Sequence, residues 1–173
     1  GLGPAPDGAA HGLSTTHVSV IDADGNAVSM TTSIETVFGS RLMVRGFLLN
    51  NQMTDFSTLP NKDGAPVINR IAAGKRPLSS MAPTLVLDGQ GRIVMAVGSP
   101  GGPRIIGYVA KTIVAVLDWK LNIQEAINLA NFSNRNGVTE LERNTPLVAL
   151  KAKLEKLGHE IRIEPLISGL HGI

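Results

Sequence analysis

This chain of 173 residues has no cysteine, which excludes disulfides, zinc–cysteine sites and a thiol nucleophile. Aromatic residues make up only 3%, with a single Trp and a single Tyr. That scarcity argues against a binding module built on aromatic anchors. The formal net charge is +2, and the lysines and arginines are scattered rather than clustered. Together these features disfavour nucleic-acid binding. No apolar run approaches the length of a membrane helix. No charged-then-apolar segment of signal-peptide type opens the sequence. There is no internal repeat. The four histidines, His11, His17, His159 and His171, lack metal-ligand spacing, so neither a metal nor another cofactor is expected.

What is present suits one globular domain. Hydrophobic residues supply 43%, enough for a core. Residues 1–14 are Gly- and Pro-rich and predict a flexible leader; residues 15–173 are expected to be the structured part. Residues 16–21 predict a strand with His17, Ser19 and Ile21 on one face and Val18 and Val20 on the other. Asp24-Gly25 predicts a turn back into a strand over 27–34. Residues 46–50 predict a short strand. The Pro- and Gly-punctuated stretch 57–77 predicts a long loop of the kind that is usually functional. A second hairpin, 84–87 with 92–97, is expected around Asp88-Gly89-Gln90-Gly91. Pro103 is expected to open a helix to about Trp119, with Trp119 in the core. Asn122 predicts the cap of a helix to about Ala130. Residues 146–157 predict an amphipathic helix stopped by Gly158, followed by a closing strand over 159–163. The class is α+β, with antiparallel sheets packed on helices.

Four stretches concentrate the chemistry. The first is Ser14-Thr15-Thr16-His17-Val18-Ser19. A threonine hydroxyl is a poor nucleophile without a base, but a chain-terminal threonine carries its own in the α-amine. A hairpin closed at 23–26 places Thr15 beside Ile34 or, with a bulge, beside Ser33. The second stretch is Asn50-Asn51-Gln52-Met53 with Asp55, a polar cluster after an apolar strand. The third is Lys75-Arg76-Pro77-Leu78-Ser79-Ser80-Met81, whose serine pair offers hydroxyls to a carboxylate. The fourth is Gly98-Ser99-Pro100-Gly101-Gly102-Pro103, which joins a strand to a helix. Glycines there let backbone N–H groups approach a ligand. A phosphate loop is disfavoured, because the expected lysine followed by Ser or Thr is missing.

Taken together, these stretches resemble the C-terminal, catalytic half of a γ-glutamyltranspeptidase. The resemblance runs from Thr15 to the chain end and is densest before Arg104. It implies half of an N-terminal-nucleophile hydrolase αββα sandwich. It makes Thr15, rather than Thr16 or Ser14, the nucleophile, exposed by self-cleavage after Ser14; the chain as written is uncut. It implies that Ser33, where family members usually carry threonine, bonds the nucleophile hydroxyl. Glu35, Gln52 and Asp55 would bind the donor's amino group, Glu35 standing where the family carries Asn or Glu. Ser79 and Ser80 would bind its carboxylate, and Gly101 and Gly102 would hold the oxyanion. The implied reaction is γ-glutamyl transfer or hydrolysis on glutathione-type donors, with water, an amino acid or a peptide as acceptor. The implied partner is the large-subunit half of the same precursor, which supplies an arginine for the donor carboxylate. Alternatives are a glutaryl-type acylase or poly-γ-glutamate processing enzyme of the same fold, and an unprocessed non-enzymatic paralogue or binding domain. The compartment, periplasmic, extracellular or cytoplasmic, is left open.

Overall fold

The computed structural model describes residues 15–173; the expected leader lies outside them. In chain order the strands are β1 (Thr15–Ile21), β2 (Ala27–Ser33), β3 (Met43–Val44), β4 (Phe47–Leu48), β5 (Asn61–Lys62) and β6 (Ala65–Pro66). They continue with β7 (Thr84–Leu87), β8 (Ile93–Gly98), β9 (Phe132–Asn134), β10 (Thr139–Glu142), β11 (Ile161–Glu164) and β12 (His171–Gly172). The α-helices are α1 (Ile105–Leu117), α2 (Ile123–Asn128) and α3 (Lys151–Lys156). The chain divides into two compact units. Among the described residues, one holds Thr15 and Thr16 with Thr32–Ser79; the other holds His17–Thr31 with Ser80–Ile173.

Both expected hairpins form, and the same device closes each. Asp22 Oδ1 accepts the N–H groups of Asp24 and Asn26, at 2.9 and 2.8 Å. Asp88 Oδ1 likewise accepts those of Gln90 and Arg92, both at 2.9 Å. An aspartate opening the turn thus substitutes for backbone partners. Gly25 and Gly91 take positive φ, of 85° and 79°, which a Cβ would oppose.

The core of the second unit lies between the β12-β8-β7 sheet and α1. Met95 and Val97 from β8 meet Ile105, Tyr108 and Val109 from α1, and Leu170 closes the cluster. Each such side chain, taken out of water, contributes roughly 1.5–3 kcal/mol. The turn Gly102–Arg104 is 3₁₀, so α1 proper begins at Ile105, two residues after the proline. Asn122 and Glu125 form a reciprocal capping box at α2. The expected 146–157 helix is split into a 3₁₀ turn, Pro146–Leu150, and α3.

Three expectations are corrected. Trp119 is exposed, because α1 ends at Leu117 and its apolar face is already spent on β8. The stretch 57–77, expected as a long loop, carries the short β5-β6 hairpin. The closing strand β11 pairs with β10 in parallel, Thr139 opposite Ile161. The connection between them runs through Pro146–Leu150 and α3, and a helical crossover returns a strand parallel.

Candidate active site

β1 begins at Thr15 and pairs with β2, which ends at Ser33; both of these end residues belong to the first unit. Thr15 Oγ1 donates to Ser33 Oγ at 3.2 Å. Ser33 Oγ also accepts the Glu35 N–H at 2.9 Å. The chain turns sharply there, with Glu35 at φ 74°. This turn directs Glu35 toward the cluster that follows β4. Asn51 Nδ2 donates to Glu35 Oε2, and Asn51 Oδ1 accepts the Thr36 N–H at 3.1 Å. The Asn51 N–H reaches the Ile34 carbonyl at 3.3 Å. Asn51 therefore holds the Glu35 segment from both ends.

The polar cluster itself is a single 3₁₀ turn, Gln52–Asp55. Gln52 Nε2 donates to Asp55 Oδ2 across that turn. Asp55 is held above the ordinary aspartate value of 3.8, chiefly by burial, with the Glu35 charge adding to the rise and the Gln52 bond opposing it. Two half-buried carboxylates within electrostatic reach of each other make a region that favours a cation. Ser79 is exposed at the end of this unit.

The remaining residues singled out by sequence belong to the second unit. Ser80 is half-buried and begins the second of that unit's two segments. Gly101 and Gly102 sit where β8 gives way to α1, with φ of 139° and 57°. A Cβ on Gly101 would lie 2.8 Å from the Tyr108 ring, whereas one on Gly102 would meet nothing within 4 Å. Gly101 is thus required by the ring packed beneath it, and Gly102 by its backbone conformation. The loop is pinned on two sides. Buried Ser99 Oγ lies 2.9 Å from the Ser168 carbonyl, and Arg104 makes a two-pronged ion pair with Glu140, at 2.7 and 2.8 Å. The Arg104 bond keeps the Glu140 carboxyl below its usual range.

His17 is buried on β1 and bonded to Thr31 Oγ1 at 2.8 Å and Ser19 Oγ at 3.0 Å. Both ring nitrogens are thereby occupied by hydroxyls, which fits a structural group rather than a base. Sequence reasoning missed the roles of Asn51, Asn69 and Arg104. Their partners lie far away in the chain, beyond the reach of local periodicity. The one signal was density: Asn51 stands inside the polar run already singled out.

In the first unit a hydroxyl stands at a strand start, and in the second a glycine loop leads into a helix. The comparison with known proteins narrows this. The gamma-glutamyltranspeptidase family model matches residues 5–173. The chain belongs to the gamma-glutamyltranspeptidase family. It is 44% identical over 131 residues to the Escherichia coli glutathione hydrolase proenzyme, covering 70% of this chain and 22% of that protein. It is 36% identical over 157 residues to the acylase ACY 1 proenzyme of a Pseudomonas strain, covering 90% and 27%. The chain therefore spans about a quarter of the length of such curated relatives. A crystal structure of a Helicobacter pylori gamma-glutamyltranspeptidase threonine-to-alanine mutant superposes with a TM-score of 0.80 at 40% identity. That match covers 91% of this chain and 89% of the solved one. The α+β architecture is that of solved gamma-glutamyltranspeptidases.

Proposed function

We propose that this chain is the catalytic half of a γ-glutamyl acyltransferase or hydrolase whose nucleophile is Thr15. The observation that carries the reading is the chain of contacts Thr15–Ser33–Glu35–Asn51, with Gln52 and Asp55 alongside. It joins a strand-initial hydroxyl to a pair of carboxylates within one compact unit.

In this reading the precursor is cut before Thr15, and the freed α-amine becomes the base. The amine takes the Thr15 hydroxyl proton as Oγ1 attacks the γ-carbonyl of the donor. The N–H groups of Gly101 and Gly102 hold the resulting oxyanion. The same amine returns the proton to the leaving amine, and the acyl-enzyme passes to water or to an amino acid or peptide. Glu35, Gln52 and Asp55 bind the donor ammonium, and Ser79 and Ser80 its carboxylate.

The partner is the large-subunit half of the same precursor. Relatives about four times as long, several described as proenzymes, support this. So do Val18, Val20, Val28 and Met30, apolar side chains exposed along the outer face of the hairpin. Among the described residues no helix is long and apolar enough to cross a membrane. Nothing in the composition points to a nucleic-acid partner.

A second reading, a glutaryl-type acylase, is favoured by the acylase relative. One comparison separates the two. In the mature two-part enzyme a γ-glutamyl anilide should be cleaved far faster than the glutaryl anilide, which lacks only the amino group. A site built to bond a polar group rejects the analogue without it by a large factor. Equal rates would refute the γ-glutamyl reading and favour the acylase.

A further inference from the structure

We infer that Asn69 is a positioning residue for donor recognition, setting the separation between the group that reads the donor's ammonium and the group that reads its carboxylate. The inference rests on the donor reading proposed above. It adds a residue that touches no substrate.

Asn69 lies half-buried after the β5-β6 hairpin, and three hydrogen bonds converge on it. Its Nδ2 donates to the backbone carbonyl of Asp55 at 2.7 Å, across 14 residues of sequence. Its Oδ1 accepts the backbone N–H of Leu78 at 3.1 Å, 9 residues away. Its own carbonyl accepts the Ser57 N–H at 2.8 Å. A side-chain amide offers a donor and an acceptor at opposite corners of one rigid plane. Here that plane spans two strands of chain. One carries Asp55; the other leads directly into Ser79.

The connection between these two segments does not fix their spacing by itself. The entropic cost of closing a flexible loop grows only slowly with its length, so a connection this long selects no single separation of its ends. The intervening stretch folds locally instead. Val67 N–H reaches the Pro60 carbonyl at 3.0 Å, Arg70 N–H the Val67 carbonyl at 3.1 Å, and Lys75 N–H the Ala72 carbonyl at 3.2 Å. Of these contacts, only the Asn69 amide ties the Asp55 segment to the Leu78 segment. A donor anchored at both ends needs that spacing; one anchored at a single end does not.

Three anilides test this in the mature enzyme made from the full precursor. The γ-glutamyl anilide has both anchors. The glutaryl anilide keeps only the carboxylate, and the 4-aminobutyryl anilide only the ammonium. Asn69→Asp keeps the shape but aims an oxygen at the Asp55 carbonyl; Asn69→Ala removes the clip. For either variant, cleavage before Thr15 should proceed. KM for the γ-glutamyl anilide should rise by about tenfold, the scale of one lost hydrogen bond. Its kcat should stay within about threefold, and KM for the two single-anchored anilides should move by less than about twofold. Equal changes for all three, no change for any, or failure of both variants to process would each overturn the inference in favour of a folding role or none. An unmutated enzyme with no preference for the γ-glutamyl anilide refutes the donor reading itself, and the inference with it. That result is seen before any variant is made.

Discussion

The imidazole of His17 lies directly on the backbone of Gly98: a Cβ added to Gly98 would come 2.2 Å from His17 Cε1 and 2.3 Å from Nδ1. The contact joins β1, two residues after Thr15, to the end of β8. Ser29 Oγ, which donates to the Val97 carbonyl at 3.0 Å, adds a second tie between the hairpin and β8. No side chain larger than hydrogen fits at Gly98 while the ring stays in place.

Gly98→Ala should therefore overpack this junction and destabilise the mature protein by about 1–3 kcal/mol. A urea titration measures the loss. The effect should depend on the ring, so Gly98→Ala combined with His17→Ala should cost less than the two single changes added together. Strict additivity would show that the two residues do not meet.

The same burial predicts a pH dependence. His17 is only 3% exposed, and burial, followed by the neighbouring charge of His171, holds its imidazole below the ordinary 6.5. The unfolded chain therefore takes up this proton at a higher pH than the folded one. Stability is complete above the unfolded value and declines as pH falls from about 6.5 through the lower folded value. Urea midpoints between about pH 8 and pH 5 should show the decline, and His17→Asn should flatten it. A slope unchanged in that variant would assign the acid sensitivity to other groups.

Thr15→Ala should abolish processing of a precursor containing both halves, leaving one band on a denaturing gel. The carbonyl of residue 14 would then have no hydroxyl to attack it. A cut product from that variant would remove Thr15 from the nucleophile role, and mass spectrometry of its new terminus would name the replacement.

Much of this was legible in the sequence because it was local. Aspartate and glycine at two turns, proline at a helix start and an Asn-Glu capping pair each act over a few residues. The hairpin register alone put Ser33 within reach of Thr15. The rest depends on distant partners. Strands of two residues, such as β3 and β12, leave no periodic trace. The β9 and β10 segments, Phe132–Asn134 and Thr139–Glu142, gave no strand signal either. They are short, and Asn and Glu stand among their residues. The parallel pairing of β10 with β11 came from the crossover through α3. The bonds that tie Asn51 to Glu35, Asn69 to Leu78 and Asp55, and Arg104 to Glu140 cross 9 to 36 positions, so composition could mark these residues only as polar.

At Glu35 the backbone occupies the left-handed region, with φ at 74°. Asparagine enters that region more readily than glutamate does. A change from Glu35 to Asn would therefore ease the main chain, but it would remove one of the two paired carboxylates and shorten the side chain that Asn51 Nδ2 holds. Backbone ease and side-chain bonding are opposed at this one position. Glutamate here keeps its carboxylate beside Asp55 while the main chain bears the left-handed conformation.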